Sequence, residues 1–310
     1  MRKKISIVTP TFNEEQNVEK LCKLISEELN KTNYDYEHIV IDNCSTDNTV
    51  KILKKISNEN KNLKIIVNTK NFGHIRSPMH GIFQATGDAV ILMMSDFQDP
   101  LDLISKYISE WEKGFKVVMA QKDSSDENII KHKIKTFFYK IISNLSKEKL
   151  LINTTGAGLY DKEIINILKK IDDPYPYFRG LISEITSSVN LIKFHQPKRE
   201  RGVTKNNFYT LYDIGILGVV KHSKVPLRIM TFTGFVLSFV SIIIALIFFI
   251  YKLLYWNSFE LGVAPIIIGL FSLASFQIFL LGFIGEYVMT ILDHTRKLPL
   301  VIEKERINFD

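Results

Sequence analysis

Three short polar clusters hold side chains that can form a binding site. They are residues 9–15 (TPTFNEE), 41–47 (IDNCSTD) and 94–100 (MSDFQDP), and each cluster includes or directly follows the end of an apolar run. Taken singly, each cluster is explained by turn formation and helix capping, for which Asn, Asp, Ser and Thr are favoured. Three such clusters at the same edge of one sheet favour a binding site instead.

The elements that position these clusters follow from hydrophobic spacing. Apolar runs predict strands at residues 5–9, 38–41, 63–67 and 89–94, and helical spacing predicts helices at 17–29 and 49–56. Alternating strands and helices indicate an α/β fold with a mostly parallel sheet that is covered on both faces. Ligands of such sheets bind beyond the carboxyl ends of the strands, where the polar clusters lie. Asp88, just before the fourth strand, fits either a turn or a site.

Composition and missing motifs exclude several classes. No GxGxxG follows the first strand and no Walker lysine loop occurs, which argues against dinucleotide dehydrogenases and P-loop NTPases. The formal net charge of +7 suits an anionic partner without choosing which one. Cys22 and Cys44 lack metal-ligand spacing, so a disulfide framework is not expected and a reducing compartment is favoured. No cleavable signal peptide is recognised, and the front domain is expected in the cytosol.

Two uncharged apolar segments, at residues 229–251 and 261–285, occupy the last third of the chain. Each exceeds the roughly 20 residues that a helix needs to cross a bilayer, so two membrane spans are predicted. The alternative is a pair of buried core helices. Cations flank both outer ends, which by the positive-inside rule places the two termini in the cytoplasm. They are Lys221, His222, Lys224 and Arg228 before the first span, and His294, Arg296, Lys297, Lys304 and Arg306 after the second.

The predicted domain organisation has four parts. Residues 1–205 form a soluble domain that is expected in the cytosol. Residues 206–228 form a juxtamembrane amphipathic helix, for which a plain core helix is the alternative. Residues 229–292 form the two-helix transmembrane hairpin, and 293–310 a cytoplasmic tail.

Four runs occur in a fixed order and are followed by the two predicted spans: VTPTFNEE, VIDNCSTDNT, NFGHIRSPMHGIFQATGDAVILMMSDFQDP and RERGVTKNN. In these runs the chain resembles the family 2 glycosyltransferases of GT-A (Rossmann-like) fold. The resemblance is closest to the polyprenyl-phosphate group, which includes dolichol-phosphate mannose synthases and bactoprenol glucosyltransferases. It covers essentially the whole chain and is specific for the superfamily, not for the sugar.

The resemblance implies a donor site. Pro10, Phe12, Glu14 and Asp42 would line the nucleotide pocket, with Asp42 accepting from the base or ribose. Asp96 and Gln98 match the DxDxQ segment that binds Mg²⁺ or Mn²⁺, and Asp96 would be the catalytic metal ligand. The chain departs from that segment at Met94, where the first aspartate is expected, and a thioether is a poor ligand for these ions.

The resemblance also implies a cationic acceptor site. Arg199, Arg201 and Lys205 would hold the donor diphosphate and the acceptor phosphate, and Arg179 would bind the acceptor phosphate. A solvated juxtamembrane charge run attracted to acidic lipids is the alternative for the first three, and a surface position for Arg179.

The implied enzyme is an inverting, metal-dependent hexosyltransferase that moves a sugar from a UDP- or GDP-linked donor to undecaprenyl or dolichyl phosphate. Its expected place is the cytoplasmic membrane, as a multi-pass protein without a nucleic-acid partner, and homo-oligomer formation stays open. Two alternatives remain. One is a polysaccharide-extending synthase, although its QxxRW signature is absent: residues 196–200 read QPKRE. The other is a catalytically weakened membrane scaffold, which Met94 would suit.

Overall fold

The computed structural model describes residues 2–125, 154–197, 225–255 and 263–309. Its strands are β1 (Lys4–Thr11), β2 (Asp35–Asp42), β3 (Leu63–Asn68), β4 (Ala89–Leu92), β5 (Val117–Ser125), β6 (Thr154–Asp161), β7 (Asn190–Gln196) and β8 (Glu303–Ile307). Its helices are α1 (Val18–Asn30), α2 (Thr49–Glu59), α3 (Gly73–Gln84), α4 (Leu103–Glu112), α5 (Lys162–Ile171), α6 (Phe178–Ile185), α7 (Val225–Leu254) and α8 (Val263–Thr295). The four predicted strands and the two predicted helices of the first 94 residues are confirmed.

The strands form one mixed sheet in the order β7-β5-β6-β4-β1-β2-β3-β8. The four neighbouring strands β4, β1, β2 and β3 are parallel, as predicted. The expectation of a mostly parallel sheet needs correction outside this centre, because β4 with β6, β5 with β6, and β3 with β8 are antiparallel. Of the seven pairings among the described strands, four are parallel, since β5 and β7 also run together.

Burial on both faces explains why the central strands read as continuous apolar runs. Successive side chains of β1 alternate between faces, so Ile5 and Ile7 pack in one cluster and Val8 in another. Helices α1 and α4 cover the first face, and α3, α5 and α6 cover the second. Helix α3 lies especially close, because a Cβ added at Gly81 would stand 2.7 Å from a methyl group of Val8.

A buried carboxylate joins the strands at the amino-terminal end of the sheet. Glu37 accepts hydrogen bonds from the Ser6 hydroxyl at 2.6 Å and the Thr86 backbone N–H at 2.7 Å. It also pairs with the ammonium groups of Lys4 at 2.9 Å and Lys64 at 2.8 Å. Burial alone would raise the pKa of Glu37, but the bonds from Lys64, Ser6, Thr86 and Lys4 outweigh it and lower the pKa to about 2. At the same end Asp88 accepts from the Lys4 backbone N–H, so its role there is structural.

Helices α7 and α8 are long and carry exposed apolar side chains. They contain 30 and 33 residues, and Phe232, Leu254 and Ile278 are each about 70% exposed. Among the described residues, one stretch is long and apolar enough to cross a membrane, Phe276–Thr295 in α8, and none of it is buried in the protein. The two predicted spans fall on α7 and α8, and their crossing of a membrane stays a prediction. The predicted juxtamembrane helix lies almost wholly outside the described residues, which resume at residue 225.

Residues beyond α8 return to the sheet. Strand β8 lies within the segment predicted as a tail and pairs antiparallel with β3, with Ile65 opposite Ile307 and Ile66 opposite Arg306. The edge of β3 is therefore covered by a strand that follows the second long helix.

Candidate active site

Register brings the three polar clusters to one edge of the sheet. Pro10 is paired with Ile41 and Thr11 with Asp42, so β1 and β2 end at the same level. The β4 strand is held to β1 by the bond from the Met93 N–H to the Val8 carbonyl, 3.0 Å. The expected convergence of the three turns above one sheet is confirmed.

Each of the three turns contains a non-glycine residue in the left-handed backbone region. The φ angles are 55° at Asn13, 66° at Cys44 and 56° at Phe97. Such residues are uncommon and cost of order 1–3 kcal/mol each. They persist only where the surrounding structure holds them, and they cluster at functional sites. All three therefore turn the chain sharply where the strands end.

The first two turns are joined by side-chain bonds. The Asn13 N–H donates to the Ser45 hydroxyl at 2.8 Å, and the Asn13 side-chain oxygen accepts from the Thr46 N–H at 2.8 Å. The Glu14 N–H donates to the Thr49 hydroxyl at 2.9 Å. These short polar side chains were predicted to form turns and helix caps. They also form hydrogen bonds between the turn after β1 and the turn after β2.

Asp42 is fully buried at the end of β2. One carboxylate oxygen accepts from the Ser45 N–H at 2.9 Å, and the other accepts a short bond from the Ser45 hydroxyl. Burial raises the pKa of Asp42, and the bonds from Ser45 oppose the rise. Its contact with a base or ribose stays a prediction, since a carboxylate has further lone pairs to accept with.

Asn43 attaches the loop after β3 to the first two turns, a role that sequence reasoning missed. Its amide nitrogen donates to the Asn71 side-chain oxygen at 2.8 Å, and its amide oxygen accepts from the Phe72 N–H at 2.9 Å. Its backbone N–H donates to the Thr11 carbonyl at 2.9 Å. Asn71 and Phe72 lie in the NFG run noted above, which was the available signal.

The third turn places two carboxylates together. Asp96 is 8% exposed, and its Oδ1 accepts from the Gln98 N–H at 3.3 Å. Asp99 is more deeply buried, and its Oδ1 has no hydrogen-bond partner within the described ranges. Burial and then the charge of Asp96 raise the pKa of Asp99 to about 6, against opposing effects of Lys122 and the Met94 N–H. Asp99 had no assigned role at sequence level.

The remaining predicted residues are placed unevenly. Pro10 lies in β1, Phe12 and Glu14 follow it, and the Glu14 carboxylate accepts from the Asn17 amide at 2.7 Å. Met94 packs partly buried against the apolar cluster that also contacts Phe178. Arg179 lies in α6, next to Phe178, and only its backbone is described. Arg199, Arg201 and Lys205 lie outside the described residues.

The donor set suits a hard cation that takes most of its ligands from elsewhere. No group of three or more His, Cys, Asp or Glu side chains able to hold a metal occurs in the described parts of the chain. Asp96 and Gln98 supply oxygen atoms, and Mg²⁺ commonly uses one or two carboxylates together with waters and substrate phosphates. The residues present therefore fit an ion that binds with a diphosphate.

Similarity to known proteins agrees with this geometry. Residues 6–168 match the sequence pattern of the family described as Glycosyl transferase family 2. An uncharacterized glycosyltransferase of Synechocystis is 30% identical over 299 residues, covering 96% of this chain and 94% of that protein. A prophage bactoprenol glucosyl transferase homolog of Escherichia coli K12 is 28% identical over 302 residues, covering 97% and 98%. The bactoprenol glucosyl transferase of Shigella phage SfX is 27% identical over 304 residues, covering 98% and 99%.

Among solved structures, glucosyl-3-phosphoglycerate synthase of Mycobacterium tuberculosis is similar in fold. Its complex with Mn²⁺, UDP and glucosyl-3-phosphoglycerate has a TM-score of 0.51 at 16% identity, covering 70% of this chain and 78% of that one. The mixed sheet is a fold of the GT-A type. The chain belongs to glycosyl transferase family 2, because the family description spans more than half of it and the similarity to relatives runs along nearly its whole length.

Proposed function

We propose that the protein transfers a sugar from a nucleoside diphosphate sugar to a polyprenyl phosphate at the cytoplasmic face of a membrane, with inversion at the anomeric carbon. The observation that carries the proposal is similarity to bactoprenol glucosyl transferases over 97–98% of the chain, the two long apolar helices included. Glucose is the first sugar to test, because those relatives are named for it, and UDP- and GDP-linked donors are both compared.

The donor end of the reaction is assigned to the three turns. Pro10, Phe12 and Glu14 line the nucleotide pocket, and Asp42 holds the second turn in shape while offering its remaining lone pairs to the base or ribose. Asp96 and Gln98 would hold Mg²⁺ or Mn²⁺ together with the donor diphosphate. When bound, the ion offsets the negative charge that develops on the leaving diphosphate.

The acceptor needs no general base. A phosphate monoester has a second pKa near 6, so it is largely dianionic at neutral pH and already nucleophilic. Its oxygen attacks the anomeric carbon while the bond from that carbon to the diphosphate oxygen breaks. The task left to the protein is to hold two anions together, for which we assign Arg179, Arg199, Arg201 and Lys205.

The membrane arrangement follows from the two long helices. Both α7 and α8 exceed the roughly 20 residues needed to cross a hydrocarbon core, and large apolar side chains point away from the protein along both. We assign them as a hairpin of two spans, with residues 1–205 in the cytosol and both termini on that side.

The test is transfer by membranes that contain the protein. Undecaprenyl phosphate is supplied with radiolabelled UDP-glucose, UDP-galactose, UDP-N-acetylglucosamine or GDP-mannose, each with Mg²⁺, with Mn²⁺ or with a chelator. The expected result is one labelled sugar in a lipid-phosphate product, dependent on the divalent ion and on added undecaprenyl phosphate. Label in a polymer would support the polysaccharide-extending alternative, and binding of UDP without any transfer would support the scaffold.

A further inference from the structure

The end of the second long helix and the residues that follow it contact the catalytic domain at several places. We call this segment, residues 294–309, the C-terminal clasp. Its strand β8 extends the sheet beside β3, and the Asn308 amide donates to the carbonyls of Ser57 and Leu63, each at 2.9 Å. Beside them, the Lys54 ammonium lies 2.6 Å from the Glu305 carboxylate.

The clasp also holds α3, the helix that begins at the donor side. The Arg76 guanidinium donates to the Pro299 carbonyl at 2.6 Å, and the His80 ring nitrogen lies 2.5 Å from the Glu303 carboxylate. Arg306 bonds to both Glu303 at 2.6 Å and the Gln84 side chain at 3.0 Å. The clasp therefore follows α3 from its first turn to its last.

One further step leads from the clasp to the donor site. The Arg76 guanidinium lies over the Phe72 ring, 5.3 Å from its centroid. The Phe72 N–H is bound by the Asn43 side chain, which fastens the second turn of the site. Contacts therefore run from Pro299 through Arg76 and Phe72 to Asn43 in the second turn.

At its start the clasp touches the acceptor side. His294, in the last turn of α8, lies 3.6 Å from the Asp173 carboxylate. Asp173 also accepts from the Tyr175 N–H at 2.9 Å, which shapes the loop leading into α6 and Arg179. A single segment hence contacts the loop before α6, helix α3 and the sheet edge.

We propose that the C-terminal clasp is a positioning element that fixes the catalytic domain over the membrane hairpin, so that the phosphate of a bilayer-held acceptor meets the donor. This rests on the proposed function. Only residues 296–302 join α8 to β8, and even fully extended such a length spans about 25 Å. Chain length limits the distance between the domain and the hairpin, and contacts on three elements limit the rotation.

Cutting the clasp without unfolding the domain tests the proposal. A protease site is made by substitution around Lys297 and Leu298, without added residues, so that the connection keeps its length. The backbone there is irregular and Leu298 is exposed, and β8 stays paired after cleavage. The control carries the same site after the exposed Asn33, in the turn between α1 and β2. Both variants are measured in vesicles before and after complete cleavage, with undecaprenyl phosphate and with a short, water-soluble prenyl phosphate as acceptors.

We expect cleavage at residue 297 to raise the KM for undecaprenyl phosphate about tenfold, because the bilayer-held acceptor loses its alignment. The KM for the short acceptor and the affinity for UDP should stay unchanged, and cleavage of the control should change neither. Unchanged kinetics after complete cleavage, or an equal loss with both acceptors, would overturn the proposal.

A distance measurement judges the clasp without activity. Spin labels at Lys113→Cys, directly after α4, and Phe232→Cys in α7 report the spacing of the domain and the hairpin, in a Cys44→Ser background. Cys22 needs no replacement, because it is buried and burial raises the pKa of its thiol to about 12. If the clasp fixes the domain, the distribution of distances between the two labels is narrow and broadens on cleavage. A distribution that cleavage leaves unchanged would contradict the proposal. If the uncut protein transfers no sugar, the proposed function fails while this measurement still decides on the clasp.

Discussion

The two ends of strand β2 each hold a buried carboxylate, and the pKa values of the two are shifted in opposite directions. Glu37, near the amino end, is surrounded by two ammonium groups, a hydroxyl and an N–H, and its pKa is lowered to about 2. Asp42, five residues later, has its pKa raised by burial, with Ser45 bonds as the opposing effect. Asp99 across the site has its pKa raised to about 6.

The difference separates stability from function. At the Glu37 end the carboxylate is compensated within the protein by two ammonium groups, a hydroxyl and an N–H. At the Asp42 end buried carboxylates, left-handed turns and an unpartnered Asp99 oxygen stand together in the described part of the chain. Carboxylates with perturbed pKa values are typical of functional sites.

The largest effect is expected from removing the metal-ligand candidate. Asp96→Ala should lower the rate of transfer at least about 100-fold, because the proposed site would lose its one carboxylate ligand for the ion that offsets charge on the leaving diphosphate. The thermal midpoint and membrane insertion should not change. The control is Asp102→Ala, which removes an exposed carboxylate six residues later. Near-normal transfer by Asp96→Ala would remove Asp96 from the mechanism.

At the opposite end, Glu37→Gln should lower the free energy of unfolding by about 3 kcal/mol, because Lys4 and Lys64 lose the charge that compensates their partial burial. The measurement is thermal denaturation of the detergent-solubilised enzyme. Transfer per folded molecule should match that of the unchanged protein. Loss of activity in the folded variant would contradict the separation between the two ends.

Asn43→Ala tests whether the site end is held by its own polar network. The substitution leaves the Phe72 N–H without its partner, at a cost of about 2 kcal/mol, and releases the loop after β3. The dissociation constant for UDP, measured by calorimetry, should rise severalfold. A drop in stability with unaltered UDP affinity would limit Asn43 to a structural role.

His38 and Glu37 should each contribute to the pH dependence of stability in a window of its own, and Asp99, with its raised pKa, contributes with the opposite sign. Burial lowers the pKa of His38 from 6.5 to about 3. Between these pH values the imidazole is protonated in the unfolded chain and neutral in the folded protein. The free energy of unfolding therefore falls as the pH drops from 6.5 towards 3. The Glu37 contribution is fully present above pH 4.5 and is lost as the pH falls towards 2. Each proton contributes a slope of at most about 1.4 kcal/mol per pH unit. Melting curves of Glu37→Gln should lack the lower window and keep the upper one.

Local patterns were enough for the centre of this fold. The runs around Ile7, Ile39 and Ile91 are fully buried, and the polar clusters that follow these parallel strands had to share an edge. Contacts between residues distant in sequence could not be predicted from local patterns. Strand β8 reads EKERI, a charged tail by composition, and becomes a strand only because β3 offers an open edge. Asn43 likewise gains its role from Phe72, 29 residues away.

The smallest effect separates backbone strain from side-chain bonding at the site. Cys44→Gly should change the free energy of unfolding by less than about 0.5 kcal/mol, because relief of the left-handed backbone offsets the extra chain entropy of glycine. Asn13→Gly relieves the same conformation but removes the oxygen that binds the Thr46 N–H at 2.8 Å, so it should cost about 1 kcal/mol more. Thermal midpoints of the two variants give the comparison. Equal effects would mean that the bond between the first two turns contributes nothing, and that the turns keep their shape through the backbone alone.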